Sequence, residues 1–96
     1  MSGITTGDKQ IYAVLQGTKR ISHVFDDDEE TIISPPAWFS LVDDTTTGNI
    51  NVVLADEEID SPVVMSVQQA HRDNILIKKI YDTDTTISES DCTLYK

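Results

Sequence analysis

A single cysteine, Cys92, stands in a chain of 96 residues, so no disulfide can form within it and the fold does not rest on oxidation. Four glycines are too few to write a phosphate-cradling loop, and neither a Walker A motif nor a dinucleotide fingerprint is present. The two histidines, His23 and His71, lie far from each other and from Cys92, which matches no zinc spacing. No Gly-x-Ser-x-Gly elbow occurs, and no Asn-x-Ser/Thr acceptor. No stretch approaches the roughly 20 apolar residues of a membrane span. The opening residues, MSGITTGDKQ, have neither the basic region nor the apolar run of a signal peptide. The expected location is therefore the cytoplasm of the producing or infected cell, or a virion. Positive charge is also scarce: 7 basic residues face 17 acidic ones, for a net charge of -10. Such a surface repels phosphates and anionic lipid headgroups, so direct nucleic-acid and membrane binding are not expected, whereas basic protein partners are.

What is present suits one small domain. With 39% hydrophobic residues, the chain has enough apolar surface for one modest core. Residues 1–8 are polar and read as a flexible arm, with residues 9–96 as a single β domain. Residues 9–16 alternate, with Ile11, Ala13 and Leu15 on one face. After Gly17-Thr18, residues 19–25 alternate again through Ile21, His23 and Phe25, so the pair reads as a hairpin. Residues 37–42 carry the densest apolar signal, including the only tryptophan. The DDTTTG turn of residues 43–48 leads to a strand over residues 49–54, with Ile50, Val52 and Leu54 inward. This reads as a second hairpin. Residues 63–70 fit a strand better than a helix opened by Ser61-Pro62, because Val63, Val64 and Val67 are β-formers and Arg72-Asp73-Asn74 resembles a turn. Residues 75–81 form a further strand, with Ile75, Ile77 and Tyr81 on one face, Leu76 and Ile80 on the other, and Lys78 and Lys79 leaving it. Residues 92–95 add a last short one. About seven short, mainly antiparallel strands joined by acidic loops imply an all-β fold, a compact β-sandwich or small β-barrel. Its core is expected to centre on Trp38, Phe39, Leu41, Val52, Leu54, Ile75 and Ile77, supported by Ile11, Leu15 and Phe25.

Chemistry finds few candidates. A nucleophilic pair would need Cys92 beside His23 or His71, which sequence alone does not establish. Asp43-x-Thr45-x-Thr47-Gly48 imitates the start of a calcium loop, but the twelfth position is Leu54 where a bidentate glutamate is required. Weak calcium binding by the acidic loops is the most that composition allows, and no cofactor or metal site is expected. An enzyme is not expected either.

The acidic groups are the remaining signal. Asp26, Asp27, Asp28, Glu29 and Glu30 form an unbroken run, followed after three β-branched residues and Ser34 by Pro35 and Pro36, which interrupt any ladder. Asp56, Glu57 and Glu58 open a second acidic loop. These ten residues are the candidate partner-binding positions. In extended backbone Asp26, Asp28 and Glu30 would line one side at about 6.5 to 7 Å spacing, near the separation of phosphates along a nucleic acid strand. Two functions follow. The first is a non-catalytic protein-binding module, an accessory or structural subunit of a larger assembly such as a viral particle decoration or adaptor protein, holding its neighbours partly by strand addition. The second is an acidic inhibitor that mimics nucleic acid and blocks the basic groove of a nucleic-acid-binding enzyme. Lys78, Lys79 and Arg72 offer a basic counterpoint through which copies would associate head to tail as a homo-oligomer.

Overall fold

A computed structural model describes residues 19–96. The expected arm, the strand over residues 9–16 with its turn, and the supporting residues Ile11 and Leu15 lie outside the described residues.

The described chain forms six strands: β1 (Arg20–Ile21), β2 (Ala37–Leu41), β3 (Asn49–Leu54), β4 (Val63–Ser66), β5 (Leu76–Tyr81) and β6 (Cys92–Tyr95). One helix, α1 (Val67–Asp73), follows β4, and a single 3-10 turn, Glu89–Asp91, precedes β6. All strands join one antiparallel sheet in the order β1-β6-β2-β5-β3-β4. The mostly-β expectation holds. The sandwich or barrel of about seven strands is not supported, because among the described residues there are six strands in one sheet that stays open, with β1 and β4 at its ends. Among the described residues one short helix, rather than a second sheet, covers its core: Val67 and Ala70 on α1 are fully buried against Phe39, Leu41, Ile50, Val52 and Ile77.

The expected second hairpin is also corrected. β2 and β3 follow each other in sequence, yet β5 lies between them. The burial of LIKKIY suits an interior place better than an edge: four of its six residues are buried, divided between both faces. The register explains its faces. Val53 opposes Lys79 and Leu54 opposes Ile77, so Lys78 is an extra residue and β5 is bulged. Ile77 and Ile80, opposite Leu54 and Val52, thus share the core face, while Lys79 and Tyr81 turn to the other. Simple alternation had paired Ile77 with Tyr81.

β2 keeps its alternation, with Ala37, Phe39 and Leu41 buried. Trp38 faces away from α1, between Tyr95 of β6 and Leu76 of β5, and is only half-buried. It is not part of the core. Phe25, Leu54 and Ile75 are partly buried and pack against that core, as does Ile33.

Residues 63–70 divide between strand and helix. β4 ends at Ser66, whose side chain accepts the Gln69 N–H at 3.1 Å and caps α1. The cap is Ser66 rather than Ser61. Arg72 and Asp73 complete the helix, and Asn74 closes it in the left-handed conformation, at φ 48°. Gly48, at φ 137°, is required where it stands: a Cβ there would lie 2.7 Å from Thr86 Oγ1. Its carbonyl accepts the Val67 N–H at 2.9 Å, tying the turn of residues 43–48 to the start of α1. Within that turn the Asp43 carboxylate accepts from both the N–H and the hydroxyl of Thr45.

Candidate partner-binding surface

The acidic run begins beside the half of β5 that β2 does not reach. β2 pairs with β5 at Ile77 and Leu76. Beyond that point residues 26–33 take its place, with the Ile33 N–H donating to the Lys78 carbonyl at 2.7 Å and the Asp26 N–H to the Ile80 carbonyl at 3.3 Å. The loop is strapped to the sheet.

Lys79 makes the second attachment. Its side chain is 1% exposed, and its Nζ donates to Asp26 Oδ1 at 2.9 Å and to the Thr31 carbonyl at 3.2 Å. It also stands 4.8 Å from the centre of the Tyr81 ring. A buried ammonium requires such partners. The basic counterpoint expected on the surface is therefore reduced, because Lys79 is consumed within its own chain by the acidic loop it was to attract from a neighbour. The Lys79 ammonium holds the Asp26 carboxyl below the usual carboxylate range. Asp27 is held low as well, by the N–H and hydroxyl of Thr83, which donate to it at 3.0 and 2.7 Å.

These contacts remove the extended line of carboxylates. Asp26 Oδ1 accepts the Asp28 N–H, Asp28 Oδ1 accepts the Glu30 N–H, and the Thr31 N–H closes onto the Asp28 carbonyl. Two successive side-chain turns curl the run, and Asp26 and Asp27 point into the protein's own groups. Asp26 is half-buried, and Asp27, Asp28, Glu29 and Glu30 are exposed, Asp27 while bonded to Thr83.

The two acidic loops meet at Tyr81. Its hydroxyl donates to the Ile59 carbonyl at 2.8 Å, anchoring residues 56–60. Burial raises the Tyr81 phenol above its ordinary value, and the carboxylates of Glu29, Asp60 and Asp27 add to the rise. Glu29 and Asp60 come from loops far apart in sequence, and this one tyrosine senses both. Asp56, Glu57 and Glu58 are exposed beside them in the second loop. Of the other candidates, Pro35 is exposed and Pro36 half-buried, in a turn whose Ser34-Pro35 bond is cis. That turn is held by Lys96, whose Nζ donates to the Ser34 carbonyl. No hydrogen bond or ion pair among the described residues joins it to residues 56–60.

A feature that residue-by-residue reading passed over is β4. This edge strand exposes Val63 and Val64, 39% and 48% accessible, on opposite faces of the sheet. The signal was there: three consecutive apolar residues, Val63, Val64 and Met65, follow an acidic loop. Assigning the whole of residues 63–70 to one strand hid where that strand lay.

Cys92 and His23 do meet. His23 Nε2 is 3.4 Å from Cys92 Sγ and 2.9 Å from the Glu89 carbonyl. A carbonyl only accepts, so Nε2 carries the proton and is no base toward the thiol. Burial, with Asp91 and Glu89 nearby, pushes the thiol up to about 12. The pair holds no thiolate at neutral pH and gives no activated nucleophile. A groove of about 350 Å³ beside it is lined by Ile21, Val24, Ile32, Ile33 and Ile80 among others. His71 is structural too, its Nδ1 accepting the Leu41 N–H at 3.0 Å. Among the described residues no group of three or more histidine, cysteine or carboxylate side chains is placed to hold a metal ion, and no helix is long and apolar enough to cross a membrane. Comparison with protein families, with curated proteins and with solved structures finds no match to this chain.

Proposed function

We propose that the protein is a non-catalytic protein-binding module, an accessory or structural subunit that attaches to a larger assembly, with a viral particle's decoration or adaptor protein as the kind of role meant. The observation that carries this reading is the β4 edge, where exposed valines sit beside the acidic loop of residues 56–60. Proteins normally blunt such edges, and an apolar one with no second neighbour among the described residues favours pairing with another chain. Its place of action would be the cytoplasm of the producing or infected cell, or the virion, with a protein rather than a membrane or nucleic acid as partner.

The rival is the acidic inhibitor of a nucleic-acid-binding enzyme. Two facts weigh against it. Asp26 and Asp27 are engaged by Lys79 and Thr83, and residues 26–30 curl where a mimic needs a regular row.

The test is capture of partners by the tagged protein from a lysate of its source, eluted by a salt gradient and identified by mass spectrometry. Recovery of a large assembly that stays bound at high salt is the expected result. A nucleic-acid-binding enzyme released at moderate salt would replace this reading with its rival, because exposed charge pairs are screened over about 8 Å already at 0.15 M. Recovery of neither would sink both.

A further inference from the structure

The β4 edge has a direction as well as an apolar character. In the β3–β4 ladder Ile50 opposes Met65 and Val52 opposes Val63, and the Val67 N–H donates to the Gly48 carbonyl. Hydrogen-bonded and non-hydrogen-bonded pairs alternate in an antiparallel ladder. Val63 and Met65 therefore turn their backbone groups toward β3. Val64 turns both its N–H and its carbonyl outward, flanked by the Pro62 carbonyl and the Ser66 N–H. An incoming strand finds a donor and acceptor at Val64, with one further group on either side, none of them bonded among the described residues. On the two faces it finds the side chains of Val63 and Val64.

Charge then orients the visitor. β4 runs away from residues 56–60, where Asp56, Glu57, Glu58 and Asp60 are exposed and form no ion pair among the described residues. A strand added antiparallel, as every pair in this sheet is, runs toward that loop and delivers its C-terminal end there. A second copy of the chain would bring another net charge of -10, whereas a basic segment complements the loop. We propose that β4 receives an antiparallel strand from a partner protein, a strand of alternating apolar residues followed on its C-terminal side by lysines or arginines. This rests on the protein-binding reading above and adds the partner's chemistry and polarity.

Two synthetic peptides of one composition test it, TVTVTVKRK and KRKTVTVTV, titrated to millimolar concentration into the isotope-labelled full chain and followed by NMR. The first should bind about fivefold or more tightly, the worth of one or two exposed charge pairs. Its shifts should fall on residues 56–66, and the preference should collapse in 1 M salt, where screening acts over about 3 Å. Val64→Pro should abolish those shifts with the rest of the spectrum retained, since it deletes an N–H that points away from β3. Val64→Lys, which sets a like charge under the basic peptide, serves the same purpose if the proline variant unfolds. Equal binding of the two peptides, shifts elsewhere, no shifts, or concentration-dependent pairing of the chain with itself through β4 would each overturn the proposal. Capture of an assembly from lysate equally well by wild type and Val64→Pro would also overturn it while sparing the broader function. Capture of nothing by the wild type would count against that function itself.

Discussion

Lys79 decides how the acidic run behaves. A lysine in a strand between apolar residues is ordinarily expected to reach solvent along its flexible stem, and here it is buried because Asp26, the Thr31 carbonyl and the Tyr81 ring surround it. Breaking such a pair from the acidic side leaves a charge in the protein, whereas replacing the charge with an apolar chain of similar length does not. Asp26→Ala should therefore lower the melting temperature more than Lys79→Met, as read by circular dichroism. The reverse order would mean that the ion pair is itself a net source of stability. Trp38 and Phe39 differ just as plainly. Phe39 is fully buried, so Phe39→Ala should cost about 3 to 5 kcal/mol in denaturant unfolding. Trp38→Ala, at a half-buried position, should cost roughly 1 to 2 kcal/mol, since the removed atoms leave less of a cavity. Equal losses would show that Trp38 anchors more than its exposure indicates.

At the scale of elements, what could be read from sequence was set by local period. β2, β3, β5 and β6 were legible because each shows a short apolar run bounded by turn residues, and the turn at residues 43–48 announced itself through Asp43, the threonines and Gly48. The partners of those strands were not legible. Nothing local in LIKKIY says that it lies between β2 and β3, and the bulge at Lys78 changes which isoleucines share a face. The helix was misassigned because its cap, Ser66, follows directly on β4 with no loop between them, so valines of a strand and the first valine of a helix read as one run. Ser66→Ala should accordingly destabilise the protein by about 1 kcal/mol in chemical unfolding. A change near zero would mean that packing of Val67 and Ala70 holds α1 without its cap. Of the candidate site, the two acidic loops were visible as charge, but their meeting around Tyr81 depends on β5 carrying one loop and the β3–β4 connection the other.

The molecule as a whole carries its charge unevenly between working and spare carboxylates. Asp26, Asp27 and Asp43 all titrate below the ordinary carboxylate value of 3.8 because each accepts hydrogen bonds in the fold. Their ionised forms favour the native state, so this stabilisation is fully present above about pH 4 and is lost as the pH falls through their depressed native values. Thermal melts from pH 6 down to pH 2.5 should show a decline that begins near pH 4, and it should be shallower in Asp27→Asn, which has one such carboxylate fewer. A decline that sets in near neutral pH would point to other groups.

The strand order also has a consequence for synthesis. β6 is the last of the six strands to leave the ribosome, yet its place is inside the sheet, between β1 and β2. Until it emerges, β1 has no neighbour to join among the described residues, and the side of β2 that β6 will cover stays open. At roughly 5 to 20 residues per second, that open side persists for seconds while the chain is still tethered. A product cut short before Cys92 would keep it permanently and present that bare flank to chaperones and proteases. For this protein, the sheet of the described residues can be completed only once residues 92–95 have emerged.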